Sequence, residues 1–88
     1  MKKILIVCGN GLGSSFIVEM NVKKLVKEIG KEAEVSHTDL TSAKSEKADI
    51  YIGAKDIIAN LDDGTRLVFG LNNLLDNNRI KEILIENI

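Results

Sequence analysis

A continuously apolar run, Ile4-Leu5-Ile6-Val7, breaks at Cys8 into a loop with glycine at positions 9, 11 and 13, and a helical pattern begins directly behind it. No other feature of the chain restricts its fold as strongly. Apolar, largely β-branched residues without alternation mark a strand buried on both faces, as happens where helices cover both sides of a parallel sheet. The helical pattern starts at Ser14 or Ser15, with Val18, Val22, Leu25, Val26 and Ile29 at three- and four-residue spacings and Lys23, Lys24, Lys27 and Glu28 on the other face. Serine is a good N-cap, and Gly30 occupies the place of a C′ glycine, so both ends of this helix are marked.

The rest of the chain repeats the alternation of strand and helix. Ala33 to Thr38 predicts a second, more polar strand, and Thr41 to Lys47 a short helix or a loop. Ile50-Tyr51-Ile52 predicts a third strand stopped by Gly53, followed by a short helix from about Lys55 to Leu61. Asp62-Asp63-Gly64 is turn chemistry, and Arg66 to Phe69 predicts a fourth strand ending at Gly70. A last helix from near Asp76 presents Ile80, Ile83, Leu84 and Ile88 to the core, with Asn72 and Asn73 as expected caps. Strands alternating with helices imply right-handed crossovers. The expected fold is a small, open, Rossmann-like α/β sandwich, with four parallel strands in the order 2-1-3-4 and helices on both faces. Such sheets place their sites outside the carboxyl ends of the strands, at the switch point beside the first strand. Cys8 and the glycine loop fall there.

Composition limits the functional classes. The 88 residues suffice for one small domain, 1–88. Hydrophobic residues at 44% and charged ones at 28% describe a folded globule rather than a disordered tail. Lys and Arg number 12 against 13 Asp and Glu, and the chain has one Tyr, two Phe and no Trp. That balance lacks the basic excess and the stacking surface of a nucleic-acid binder. Lys2 and Lys3 precede an apolar run that is too short for a secretion signal or a membrane span, and the single cysteine can form no internal disulfide. The reading is a cytoplasmic protein, complete as it stands.

The chemistry is concentrated in Cys8-Gly9-Asn10-Gly11-Leu12-Gly13-Ser14-Ser15. Three glycines allow positive φ and turn successive N–H groups inward as an anion-binding nest. The helix behind adds free N–H groups and the positive end of its dipole. A thiol at that mouth is expected to ionise readily and react as thiolate, and Ser14 and Ser15 can donate hydroxyl hydrogen bonds to the same anion. The bland alternative is a buried cysteine closing a strand before a glycine turn; the position at the functional edge of an α/β sheet favours the reactive site.

Competing motifs fail on particular residues. The third glycine comes one place early for the dinucleotide fingerprint, and Asp39 lies later than its ribose-binding acid. A Walker A loop needs a Gly-Lys-Ser/Thr ending, yet no lysine occurs between Lys3 and Lys23. Cys8 and His37 lack companion metal ligands, and no cofactor or metal is expected. A C-x5-R phosphatase would carry arginine at position 14, which is Ser14; the arginines are Arg66 and Arg79. Without a guanidinium clamp, charge on a phosphoryl group is met by backbone amides and hydroxyls. A phosphoryl group held on sulfur is therefore compatible with the loop, whereas fast hydrolysis is not. A non-catalytic anion- or nucleotide-binding module and a small cysteine phosphatase stay open as alternatives.

Strand-Cys-Gly-Asn-Gly-x-Gly-Ser-Ser-helix resembles the enzyme IIB component of the bacterial sugar phosphotransferase system, in its ascorbate and galactitol-type group. The resemblance covers nearly the whole chain in length and element order, with Cys8 to Ser15 as its specific part, and the loop looks more like the ascorbate branch. It implies that Cys8 takes a phosphoryl group from a histidine of enzyme IIA and passes it to sugar bound by the membrane enzyme IIC. The protein would then be peripheral to the membrane through IIC. It also implies that Gly9, Asn10, Gly11, Leu12, Gly13, Ser14 and Ser15 hold the phosphoryl group. His37 reads as an ordinary surface residue, Lys55 and Asp56 as a solvated helix start, and the lysines of the first helix as a solvated face.

Overall fold

The computed structural model describes residues 1–8 and 14–88, leaving aside the side chains of Cys8, Ser14 and Ser15. The elements run β1 (Lys2–Cys8), α1 (Ser14–Glu28), β2 (Ala33–Asp39), α2 (Leu40–Ala43), β3 (Ile50–Ala54), α3 (Lys55–Ile58), β4 (Val68–Leu71) and α4 (Asn77–Asn87), and a 3₁₀ turn, Ala59–Leu61, extends α3. The strands form one sheet in the order β2-β1-β3-β4, and every pairing is parallel. The expected topology is the observed one.

β1 sits between β2 and β3, and its alternation feeds two cores. Ile4 and Ile6 pack with Val18 and Val22 of α1 and Ile80, Ile83 and Leu84 of α4. Leu5 and Val7 pack on the opposite side with Ala43, Tyr51, Ile58 and Leu61. All four β1 residues are at most 1% exposed, and burying each such side chain stabilises the fold by about 1.5–3 kcal/mol. This double burial is why the run carries no polar alternation. α1 ends as its sequence requires: Gly30 has φ +73°, its N–H donates to Lys27 O, and the Lys31 N–H donates to Val26 O, both at 3.1 Å. Those bonds form a Schellman cap, which needs the left-handed residue glycine provides.

Three local expectations are corrected. Gly53 does not stop β3, and Gly70 does not end β4; each strand continues through its glycine to Ala54 and Leu71. These glycines permit close packing: a β-carbon on Gly70 would lie 2.9 Å from Lys55 Cα. The fourth strand starts at Val68, because Arg66 is drawn instead to Asp63, at 2.6 Å, and to the Lys44 carbonyl, at 3.0 Å. Finally, Asn73 does not cap α4. Its Oδ1 accepts from the Leu75 N–H at 3.0 Å, forming a local turn, while Asp76 caps the helix by accepting from the Arg79 N–H.

Candidate functional site

The carboxyl ends of the four strands converge on one edge, and β1 reaches it at Cys8. The backbone of Cys8 is in register with Asp39 of β2, and that of the preceding Val7 with Thr38 and with Gly53 of β3. Two ladders therefore fix the end of β1. Gly9, Asn10, Gly11, Leu12 and Gly13 lie outside the described residues, and Ser14 and Ser15 are the first residues of α1. The first turn of α1 contains no acidic residue, so its dipole is left to favour negative charge at that end.

Asp39 is the acidic residue nearest to Cys8 in the sheet register, and a search of the neighbouring sequence alone misses it. Its Oδ1 accepts from the Ser42 N–H at 2.7 Å and caps α2. That backbone bond, with a further bond from the Ser42 side chain, holds its carboxyl below the ordinary range. Asp39 is thus an anion beside the site, with its charge drawn toward α2 rather than left free. At the other end of the sheet, bonds from the Thr65 hydroxyl and N–H likewise lower the Asp63 carboxyl.

His37 is not the ordinary surface residue expected. Its imidazole is one-third exposed, and Nδ1 lies 3.1 Å from Glu19 Oε1 of α1. Glu19 itself is only 8% exposed. A periodicity signal for this pair existed, because position 19 shares the inner helix stripe with Val22 and Val26; the partner across the strand had no local signal. Lys55 and Asp56 open α3 as expected and line an open hollow with Ala54, Ala59, Leu71 and Asn72. Beside it, Ile17, Val18, Ala54 and 72–75 line a second hollow of about 410 Å³. Phe16, Ile17, Met20 and Leu75 are each more than half exposed. The rim of the site is consequently more apolar than a solvated face requires.

The described residues include no group of three or more His, Cys, Asp or Glu placed to hold a metal. No helix among them is long and apolar enough to cross a membrane.

Residues 3–86 match the family described as the lactose/cellobiose-specific IIB subunit of the PTS system. The chain is 32% identical over 84 residues to a Mycoplasma pneumoniae protein named ascorbate-specific PTS system EIIB component, covering 92% of this chain and 88% of the relative. Proteins of the same name from Salmonella typhimurium and Shigella flexneri are each 36% identical over 76 residues, covering 83% of this chain and 75% of theirs.

Proposed function

The chain belongs to the PTS IIB family and is a phosphoryl carrier of a sugar phosphotransferase system, and we propose that Cys8 carries the phosphoryl group and that the sugar is L-ascorbate. The observation that carries the first part is positional. The only cysteine in the sequence ends the central strand of a parallel sheet, at the edge where such sheets bind ligands, and α1 begins at Ser14. In this reading the thiolate of Cys8 attacks the phosphorus of a phosphohistidine on enzyme IIA. The S–P bond forms as the N–P bond breaks, and the histidine nitrogen keeps the electron pair. The N–H groups of Gly9 to Ser15 and the hydroxyls of Ser14 and Ser15 hold the phosphoryl oxygens.

Release to sugar reverses the logic. A hydroxyl of the sugar held by the membrane enzyme IIC attacks phosphorus as its proton passes to solvent or to a base of IIC, and the sulfur leaves as thiolate. The carrier must resist water in the interval, and the loop sequence suits this, having no Asp, Glu or His to activate water. The exposed Phe16, Ile17, Met20 and Leu75 beside the site support docking of IIA and IIC on that rim. The protein would work in the cytoplasm, meeting the membrane through IIC. Ascorbate rests on the relatives' names, since the family description speaks of lactose and cellobiose.

The test loads the protein with labelled phosphate from phosphorylated IIA, removes the donor and follows the label. A stable label on Cys8, lost on adding IIC membranes with ascorbate but not with lactose or cellobiose, is the expected result. Full labelling of Cys8→Ala would overturn the site, and discharge by cellobiose alone would overturn the sugar.

A further inference from the structure

We propose that Glu19 and His37 form an ionic tie that seats the first turns of α1 against β2, making His37 a positioning residue for phosphoryl acceptance; this rests on the carrier reading above. Glu19 is the buried charged residue of the described chain, at 8% exposure. Burying a carboxylate costs several kcal/mol unless the charge is paired. An apolar side chain would serve the packing of α1 as well, since position 19 lies on the same stripe as Val22 and Val26. What Glu19 adds is charge, and two basic side chains stand around it. His37 Nδ1 is 3.1 Å from one carboxylate oxygen, and Lys23 Nζ is 3.7 Å from the other, one helical turn on.

The two contacts differ in kind. Lys23 belongs to the same helix, so its pairing with Glu19 does nothing to hold α1 on the sheet. His37 belongs to β2, and its contact crosses between elements. Nδ1 is buried and makes no directed hydrogen bond among the described residues, so the 3.1 Å approach acts through charge. It is strong while the imidazole is protonated and weak when it is neutral. The Phe16 ring stands edge-on to the imidazole, with centroids 6.0 Å apart, and closes the pair on the side of the first turn of α1. Around the pair, Ile6, the β1 partner of His37, is apolar, Lys23 shares the Glu19 carboxylate, and the Asp39 carboxylate, two residues on from His37, accepts from Ser42.

The place of the tie gives it leverage. His37 is in register with Ile6, two positions before the Asp39–Cys8 pair. With strand rise and spacing as usual, its Cα lies about 8 Å from that of Cys8. Glu19 is in the second turn of α1, whose first residues follow the loop. A change in how firmly those turns sit on β2 moves the helix N-terminus relative to the end of β1, and anion stabilisation by N–H groups is sensitive to such displacement.

The experiment measures two rates from pH 5 to 9 on the intact protein and on the His37→Gln and Glu19→Gln variants. One is alkylation of Cys8 by iodoacetamide, and the other is phosphoryl acceptance from phosphorylated IIA. Histidine changes charge within that range. Wild type is expected to show an inflection that is absent from both variants. The variants should be slower by about threefold on the acid side and equal to wild type on the alkaline side, the size of a weak ion pair. The double variant should match the singles, because either substitution removes the same contact. An inflection that survives His37→Gln, or a loss equal at every pH, would overturn the tie. If Cys8 takes no label while the alkylation inflection behaves as described, the carrier reading fails and the tie stands. If Cys8 is labelled and the variants follow wild type throughout, the reverse holds.

Discussion

Gly53 and Val7 face each other across the β3–β1 ladder so closely that a β-carbon on Gly53 would lie 2.6 Å from the Val7 carbonyl oxygen. That contact leaves no space for a side chain one residue before Cys8. Gly53→Ala is expected to force the two backbones apart and to destabilise the protein by about 1–3 kcal/mol. Urea denaturation measures the loss, and phosphoryl acceptance should fall with it because the end of β1 moves. Wild-type stability in this variant would contradict the packing described.

Gly30 offers the contrasting case. Nothing lies within 4 Å of a β-carbon placed there, yet its φ is +73°. Gly30→Ala should therefore cost about 1 kcal/mol from backbone strain alone. It should leave phosphoryl acceptance unchanged, since the cap is at the far end of α1 from the site. Thermal unfolding and a transfer assay on the same sample check both halves.

Much of this architecture was legible in the sequence, for an identifiable reason. Ile4 to Val7 and the stripe from Val18 to Ile29 are driven by burial, and burial leaves a period in the sequence. Gly53 and Gly70 read as stops in the sequence because glycine has two uses, and only the neighbouring backbone distinguishes a turn from a close approach. The site was legible as a cysteine and a glycine loop. Asp39 and His37 were not legible as its neighbours, because register between β1 and β2 brings them there across about thirty residues.

Asp39 should oppose ionisation of the thiol, since like charges disfavour one another. Asp39→Asn removes the charge and keeps a good N-cap for α2. Alkylation of Cys8 at neutral pH should become about twofold faster, the Coulomb effect expected through water at such a separation. A slower reaction would show that the carboxylate assists the site rather than opposing it.

Acid should weaken the fold through the carboxyls of Asp39 and Asp63. Both are held below the ordinary carboxyl range, chiefly by bonds from Ser42 and Thr65 respectively. A lowered pKa gives stability that is fully present above the unfolded value and is lost as pH falls through the folded one. Their joint contribution should thus be flat above the ordinary carboxyl range and fade progressively as pH falls below about 3.9. Comparing acid titrations of wild type and Asp39→Asn/Asp63→Asn by circular dichroism tests this; a difference in slope near neutrality would contradict it.

If the rim residues receive protein partners, Ile17→Asp and Leu75→Asp should leave stability within about 0.5 kcal/mol, as exposed substitutions do. Both should raise the concentration of IIA needed for half-maximal labelling by about tenfold, as expected of an apolar contact worth just over 1 kcal/mol. Unchanged labelling in both variants would place docking elsewhere.

The position of β1 between β2 and β3 also has a consequence during synthesis. The strand that ends in the middle of the sheet leaves the ribosome before both of its partners, which follow at Ala33–Asp39 and Ile50–Ala54. The most apolar segment of the chain must wait for its first partner until Ala33–Asp39 has been made and for its second until Ile50–Ala54 has followed. Parallel pairing over such separations is slow, and an exposed strand of this kind is prone to stick to other chains. Lys2 and Lys3, immediately before Ile4, stand where charge best discourages that, so the nascent chain carries its own protection against aggregation at the point where the delay exposes it.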